Sequence, residues 1–308
     1  MITPDTPLAP VHAEVRFAAA AERGGARQLI KEAFLRQQVA AVLKENRQQG
    51  IMSSLTITDV ASGRVIYGYN QRAPHFAASV NKIPLAMLAL EDVRTGTLQF
   101  DQTLAWEAAD RREGLGVYDQ PDSPLQAPLR DVLHDMLNRS GNTAVRVVVN
   151  QGLGGAAVVN DRLAAYPRLD TTRLEPLASD AAKFYMGDTT SREALRSLTQ
   201  LLKPQDVYAA AAKKSLATNV YADYGVRSAL SANDSITLAN KVGILDDAEG
   251  NNRHDVGLIY NSATNKTYGY AMLTTTPYNE ADPATTQQAE RSLQAVGQYL
   301  LHFAGDHQ

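Results

Sequence analysis

Ser79 and Lys82 stand three positions apart in Ala77-Ala78-Ser79-Val80-Asn81-Lys82-Ile83-Pro84, just ahead of the apolar run Leu85 to Leu90. On a helix that spacing puts both side chains on one face. A serine hydroxyl is a weak nucleophile near neutral pH and needs a base within hydrogen-bond reach. A lysine one turn along becomes that base when burial or a nearby cation lowers its pKa. At a helix start the serine also sits at the positive end of the dipole, where a developing oxyanion is stabilised. Alone, the pair also fits a capping serine beside a solvated lysine, and about one chance Ser-x-x-Lys match is expected in a chain of this length.

Further groups follow in order. Ser140-Gly141-Asn142 lies 61 positions past Ser79, at the head of a predicted helix, and Lys241-Val242-Gly243 lies 101 positions further, inside a predicted strand. Between them come Arg173-Leu174-Glu175-Pro176 and Asp188-Thr189-Thr190. Ser231-Ala232-Asn233 also fits S-x-N, and order and spacing favour Ser140. Glu175 reads either as an exposed loop glutamate or as a carboxylate that activates water against a serine ester. The flanking Arg173 and the later Asp188 favour the second reading.

In this order and spacing the motifs resemble those of the class A serine β-lactamases and the wider penicillin-recognising serine hydrolases. The resemblance runs from about residue 28 to the end. It implies that Ser79 is acylated, with its own N–H and that of Ile244 as the oxyanion hole; one such donor is typically worth about 3 kcal/mol. It implies that Lys82 takes the serine proton, that Ser140 passes one to the leaving nitrogen, and that Lys241 raises the local potential. Asn142 would hold Lys82 and the substrate amide, Gly243 belongs to the lysine strand motif, and Glu175 would activate the deacylating water. Arg173 and Asp188 would clamp the loop that carries Glu175.

Departures from the pattern are Gly141 for the aspartate of S-D-N, Ser179 where an asparagine normally follows the glutamate, and Val242 for the hydroxyl of K-T-G. The last removes a donor for a substrate carboxylate, a loss of about 1.5–3 kcal/mol; Arg253 is the candidate to compensate. Tyr118, between Ser79 and Ser140, is placed by position along the cleft. The implied activity is opening of a β-lactam or similar amide through an acyl-serine. The alternatives are a D,D-peptidase or esterase whose cell-wall-type substrate lacks the usual carboxylate, and a penicillin-acylated sensor. The substrate is a small molecule, no metal or organic cofactor is implied, and the expected state is a monomer. The resemblance implies a periplasmic or secreted location.

The elements that must position these groups read as α+β. Apolar positions from Ala26 to Gln49 recur at helical spacing, with Gly50 as a stop. Ser54–Asp59 and Val65–Asn70 read as a strand hairpin. Helical patterns occupy Leu125–Leu137, Thr143–Asn150, Ala156–Ala165, Ser191–Leu202 and Val207–Ala212. Strands return at Ile236–Leu245, Val256–Asn261 and Thr267–Thr275, and a last helix covers about Thr286–Phe303. Strands near both ends predict an antiparallel sheet with flanking helices plus a central, mostly helical lobe. Residues 1–27 read as an irregular arm, 28–84 and 227–308 as the sheet lobe, and 85–226 as the helical lobe.

Composition excludes other classes. A formal net charge of −3 over 308 residues gives no electrostatic case for nucleic acid. No stretch reaches the roughly 18 apolar residues of a membrane span, and Met1–Arg23 does not read as a signal peptide. Cysteine is absent, so disulfides and thiolate metal sites are excluded. The six histidines show no metal-ligand spacing. Gly152-Leu153-Gly154-Gly155-Ala156-Ala157 matches a dinucleotide fingerprint, but the helical patterns on both sides predict a helix–helix turn.

Overall fold

Helix α1 (Val11–Gln48) ends where predicted, with Gly50 in the left-handed region at φ +73°. It begins far earlier than Ala26, so residues 11–27 are helical rather than an irregular arm. The alanine-rich stretch Phe17 to Glu22 has high helix propensity, and the roughly 1 kcal/mol cost of each of Gly24 and Gly25 does not end the helix. The computed structural model describes residues 11–177, 180–230, 235–247, 250–277 and 283–305. Ser179, the alternative Ser231-Ala232-Asn233 and the first ten residues of the arm lie outside that set.

After α1 come β1 (Met52–Asp59), β2 (Val65–Tyr69), β3 (His75–Phe76), a 3-10 turn over Ala78–Asn81, and α2 (Lys82–Thr95). The chain continues through β4 (Thr103–Ala105), β5 (Gln126–Pro128), α3 (Leu129–Asn138), α4 (Asn142–Val147) with a π turn to Gly152, and α5 (Ala156–Ala165). Then follow β6 (Glu175–Leu177), β7 (Asp180–Tyr185), β8 (Asp188–Thr189), α6 (Ser191–Leu202) and α7 (Val207–Ala217). The last elements are β9 (Ile236–Asp247), β10 (Gly250–Asn261), β11 (Lys266–Thr276) and α8 (Ala284–Ala304).

Strands from both ends build one antiparallel sheet in the order β2-β1-β11-β10-β9, the α+β arrangement expected. Alternation along β11 divides its side chains between two cores. Tyr270 and Met272 pack with Leu35, Val39 and Leu43 of α1 and Leu293, Val296 and Leu300 of α8. Ala271 and Leu273 belong to the opposite core, with α2, α3 and α6. Helix α2 is buried along its whole first half, from Lys82 to Leu90. A helix apolar on all sides belongs at the centre of the molecule, and Lys82 is carried into that interior with it.

Other stretches also differ from the sequence reading. The predicted helix over Leu125–Leu137 begins only at Leu129, because Gln126–Pro128 pairs with β4 and proline disfavours helix in the residue before it. The predicted loop carrying Glu175 contains the hairpin β6–β7, with Glu175 opposite Tyr185. The apolar run Phe184-Tyr185-Met186 was the signal for a strand there. The glycines after Gly152 make the expected helix–helix turn, with Gly154 and Gly155 at φ +83° and +100°.

Beneath the 3-10 turn lie two buried histidines. His254 Nε2 donates to Phe76 O at 2.8 Å, and its Nδ1 accepts from Thr274 N at 3.1 Å, a pattern that needs the neutral ring. His75 stacks edge-on against it at 5.9 Å. Burial lowers the pKa of His254 to about 4 and that of His75 to about 3, the latter also pushed down by its neighbour. At these two sites the unfolded chain binds more protons than the folded one below pH 6.5, so their contribution to stability falls as pH drops from 6.5 towards 4, partly offset by buried Asp255, whose pKa is raised to about 6. The loss from His254 is expected to reach about 3 kcal/mol. Thermal unfolding midpoints across pH 4–7 check this, and a His254→Asn variant should show a flatter profile.

Candidate active site

The 3-10 turn Ala78–Asn81 and the first turn of α2 present the Ser79–Lys82 pair at the junction of the sheet and the helices. Ala78, just before the serine, has φ +45°, a costly conformation for a residue with a Cβ. Neighbouring bonds hold it: Ala77 N donates to Gly187 O at 2.7 Å, and Val80 N to Ala77 O at 3.0 Å. On the other side β9 runs against the same turn. A Cβ on Gly243 would lie 3.1 Å from Val80 Cγ2 and 3.2 Å from Ala77 O, so this closeness favours glycine.

Ser79 lines a cavity of about 520 Å³. One wall belongs to the helical side, with Arg112, Glu113, Asn142, Val145 and Arg146. A second is the sheet edge, with Ile244 and Leu245, and a third is apolar, with Phe76, Phe184, Tyr185 and Met186.

Lys82 is fully buried, and its Nζ reaches Ser140 O at 2.5 Å, Ser140 Oγ at 2.9 Å and Asn142 Oδ1 at 2.8 Å. Lys241, 1% exposed, reaches the same Ser140 Oγ at 2.9 Å and Val242 O at 2.9 Å. Burial drives the Lys82 pKa down to about 7, against the opposing pull of Asp119 and Asp135. Burial and then the charge of Lys82 push Lys241 down as well. Near neutral pH a large share of Lys82 is therefore a free amine, which can accept a proton. Tyr221 completes the cluster: Lys241 Nζ lies 5.7 Å from its ring centroid, and its side chain bonds to Ser140.

The turn that carries Ser140 is held by carboxylates the motif does not contain. Gly141 precedes α4 and offers no side chain to cap it. Asp119 does so from a distance, accepting from Asn142 N at 3.1 Å, Thr143 N at 2.7 Å and Gly116 N at 2.8 Å. Asp135 fills the space beside Gly141: a Cβ there would overlap Asp135 Oδ2 and lie 2.9 Å from its Cγ. An aspartate at position 141 has no room in this packing. Ser140 itself sits at φ +62°.

Arg173 and Asp188 come together as expected, Nη2 to Oδ2 at 2.9 Å, with Arg173 N bonded to Asp188 O. The sequence reading missed what fastens this neck to the serine. Asn81 Nδ2, buried, donates to Arg173 O at 2.9 Å, Asp188 O at 3.3 Å and Met186 O. Asn160 grips Leu174 through both its N–H and its C=O at 2.8 Å. Gly187, at φ +56°, passes so close to Arg173 O that a Cβ would overlap it.

Four expected residues are placed differently. Glu175 has a side chain 56% exposed, 3.9 Å from Arg173, and is not part of the cavity lining, where its strand partner Tyr185 lies. Tyr118 packs in the helical core against Trp106, ring centroids 5.2 Å apart, because its 3-10 turn faces inward. Val242 is 2% exposed and sits opposite Asp255, on the sheet face turned away from Lys241. Arg253 is buried between Asp246 at 2.5 Å and Glu290 at 2.8 Å, which draw it away from the cavity. Among the described residues no group of His, Asp or Glu is arranged to hold a metal ion, and no helix is long and apolar enough to cross a membrane.

With the fold and the geometry of the cavity described, comparison with known proteins gives the family. The sequence profile of the beta-lactamase enzyme family matches residues 34–302, and the chain belongs to that family. A search of curated protein sequences gave no significant match. Among solved structures, a beta-lactamase from Sphaerobacter thermophilus DSM 20745 is 21% identical, with a TM-score of 0.71 over 87% of this chain and 97% of that one. A beta lactamase from Burkholderia vietnamiensis is 17% identical, with a TM-score of 0.72 over 89% and 97%. PBP-A is 19% identical, with a TM-score of 0.70 over 87% and 94%.

Asp119→Ala leaves the first amides of α4 without an acceptor, and each buried unpaired donor costs about 1–3 kcal/mol. Denaturant unfolding should show a loss in that range. Gly141→Ala, which must push Asp135 aside, should lose about 1–3 kcal/mol in the same assay.

Proposed function

We propose that this protein is an acyl-serine hydrolase that opens an amide or ester, a β-lactam among the candidates, at Ser79. The observation that carries the reading is the buried chain Lys82–Ser140–Lys241 beside a serine on the cavity wall. Neutral Lys82 takes the Ser79 proton as Oγ attacks the carbonyl carbon, and the carbonyl electrons move onto oxygen. The N–H groups of Ser79 and Ile244 are assigned to that oxyanion by resemblance. As the tetrahedral carbon collapses, the bond to the leaving nitrogen or oxygen breaks. A proton passes from Lys82 through Ser140 to the leaving atom, and Lys241 supports the negative charge that crosses Ser140. Water then cleaves the serine ester and regenerates Oγ–H.

Glu175 is the family's candidate for activating that water, and its exposed position gives it weak support here. The same observation favours a second reading, in which the acyl-enzyme persists as in a D,D-peptidase or a penicillin-binding domain.

Intact-protein mass after mixing with a chromogenic cephalosporin, read beside the absorbance trace, tests both. Fast colour without a lasting adduct, abolished in Ser79→Ala, supports turnover; a persistent adduct supports the second reading. No adduct and no colour with cephalosporins or with simple activated esters overturns the proposal. Because Lys82 must lose its proton first, the acylation rate should climb with pH and level off above about 7. Lys82→Ala should slow acylation about 10²–10⁴-fold in stopped-flow measurements.

A further inference from the structure

We propose that the site takes an acyl donor with an apolar acyl side chain and a leaving group that carries no carboxylate. This rests on the acyl-serine reading of Ser79 and adds the substrate class.

The leaving-group side is marked by Ser140 and Lys241, and the cation expected to read a substrate carboxylate there is Arg253. Four of its five donors are occupied. Nε bonds Glu290 Oε1 at 2.8 Å, Nη1 bonds Asp246 Oδ1 at 2.5 Å and Asn252 O at 3.0 Å, and Nη2 bonds Asp246 Oδ2 at 3.1 Å. One guanidinium faces two carboxylates, so the cluster carries a formal charge of −1. The guanidinium side chain is 7% exposed while Asp246 and Glu290 are 51% and 39% exposed, so solvent meets the acids. An arriving carboxylate is repelled there rather than bound.

Among the described residues, the other groups near this edge are apolar, sealed from solvent or set on the helical wall. Val242 has no hydroxyl and its side chain is buried. Lys241 is sealed from solvent and directs its amine at Ser140 Oγ and Val242 O. On the helical wall Arg146 lies 3.3 Å from Asp110, and Arg112 turns Nη1 to the carbonyls of Ala109 and Arg111 beside Glu113. The wall formed by Phe76, Phe184, Tyr185 and Met186 is apolar and aromatic, a seat for an aryl or alkyl acyl group.

Three chromogenic esters test this on the whole protein, with Ser79→Ala as background and rates corrected for spontaneous hydrolysis. They are 4-nitrophenyl phenylacetate, the same ester of 3-carboxy-4-nitrophenol, and 4-nitrophenyl acetate. The neutral phenylacetyl ester should exceed its carboxylated twin in kcat/KM by about tenfold or more, and the acetyl ester by a similar factor. Asp246→Asn takes the formal charge of the Arg253 cluster from −1 to 0 and should shrink the first ratio severalfold. Equal rates for the twins, or a preference for the carboxylated one, overturn the leaving-group assignment. Equal rates for phenylacetyl and acetyl overturn the apolar seat. No Ser79-dependent product or adduct from any ester overturns the acyl-serine reading, and this inference falls with it.

Discussion

Two lysine amines meet at one hydroxyl, Ser140 Oγ, each 2.9 Å away and both out of contact with solvent. Removing two ammonium groups from water is strongly unfavourable unless each is given acceptors or loses its proton. The protein does both. The acceptors are Ser140 O, Asn142 Oδ1 and Val242 O, and the remaining strain appears as lowered pKa values. Those acceptors work only if the Ser140–Asn142 turn is rigid. Hence Asp119 under the first amides of α4, Asp135 filling the space at Gly141, and a left-handed Ser140.

Ser79 is held from the opposite direction. Asn81, between Ser79 and Lys82, ties the turn to the Arg173–Asp188 neck through three backbone carbonyls. Ala77 is tied to Gly187 in the same neck, and Gly243 lets β9 press against the turn. The loop beyond the neck supplies the aromatic wall of the cavity. The same neck therefore positions Ser79 and shapes the cavity together.

Much of this was legible from residue order alone. Periodicity located α5, α6 and the three long strands at the C-terminal end, because a single buried face imposes its spacing on the sequence. The motifs located Lys82, Ser140, Asn142 and Lys241, which the fold joins by hydrogen bonds, and Ser79, which lines the cavity with Asn142. Asp119, Asp135, Tyr221 and Asn81 were not legible, since each acts across a distance in sequence that carries no local pattern. Tyr118 was misplaced for the opposite reason: a position between Ser79 and Ser140 says nothing about which way a 3-10 turn faces.

The sequence by itself determined which chemical groups are present and in what order, and so the family and the serine–lysine chemistry open to it. Tertiary structure alone decided their ionisation and their surroundings. The pKa of Lys82 falls to about 7 because α2 is buried on every side, and Arg253 is held outside the cavity lining because Asp246 and Glu290 lie within 3 Å. Charge, burial and hydrogen bonding act through space over a few ångströms, and neighbours at that range are set by how the chain packs.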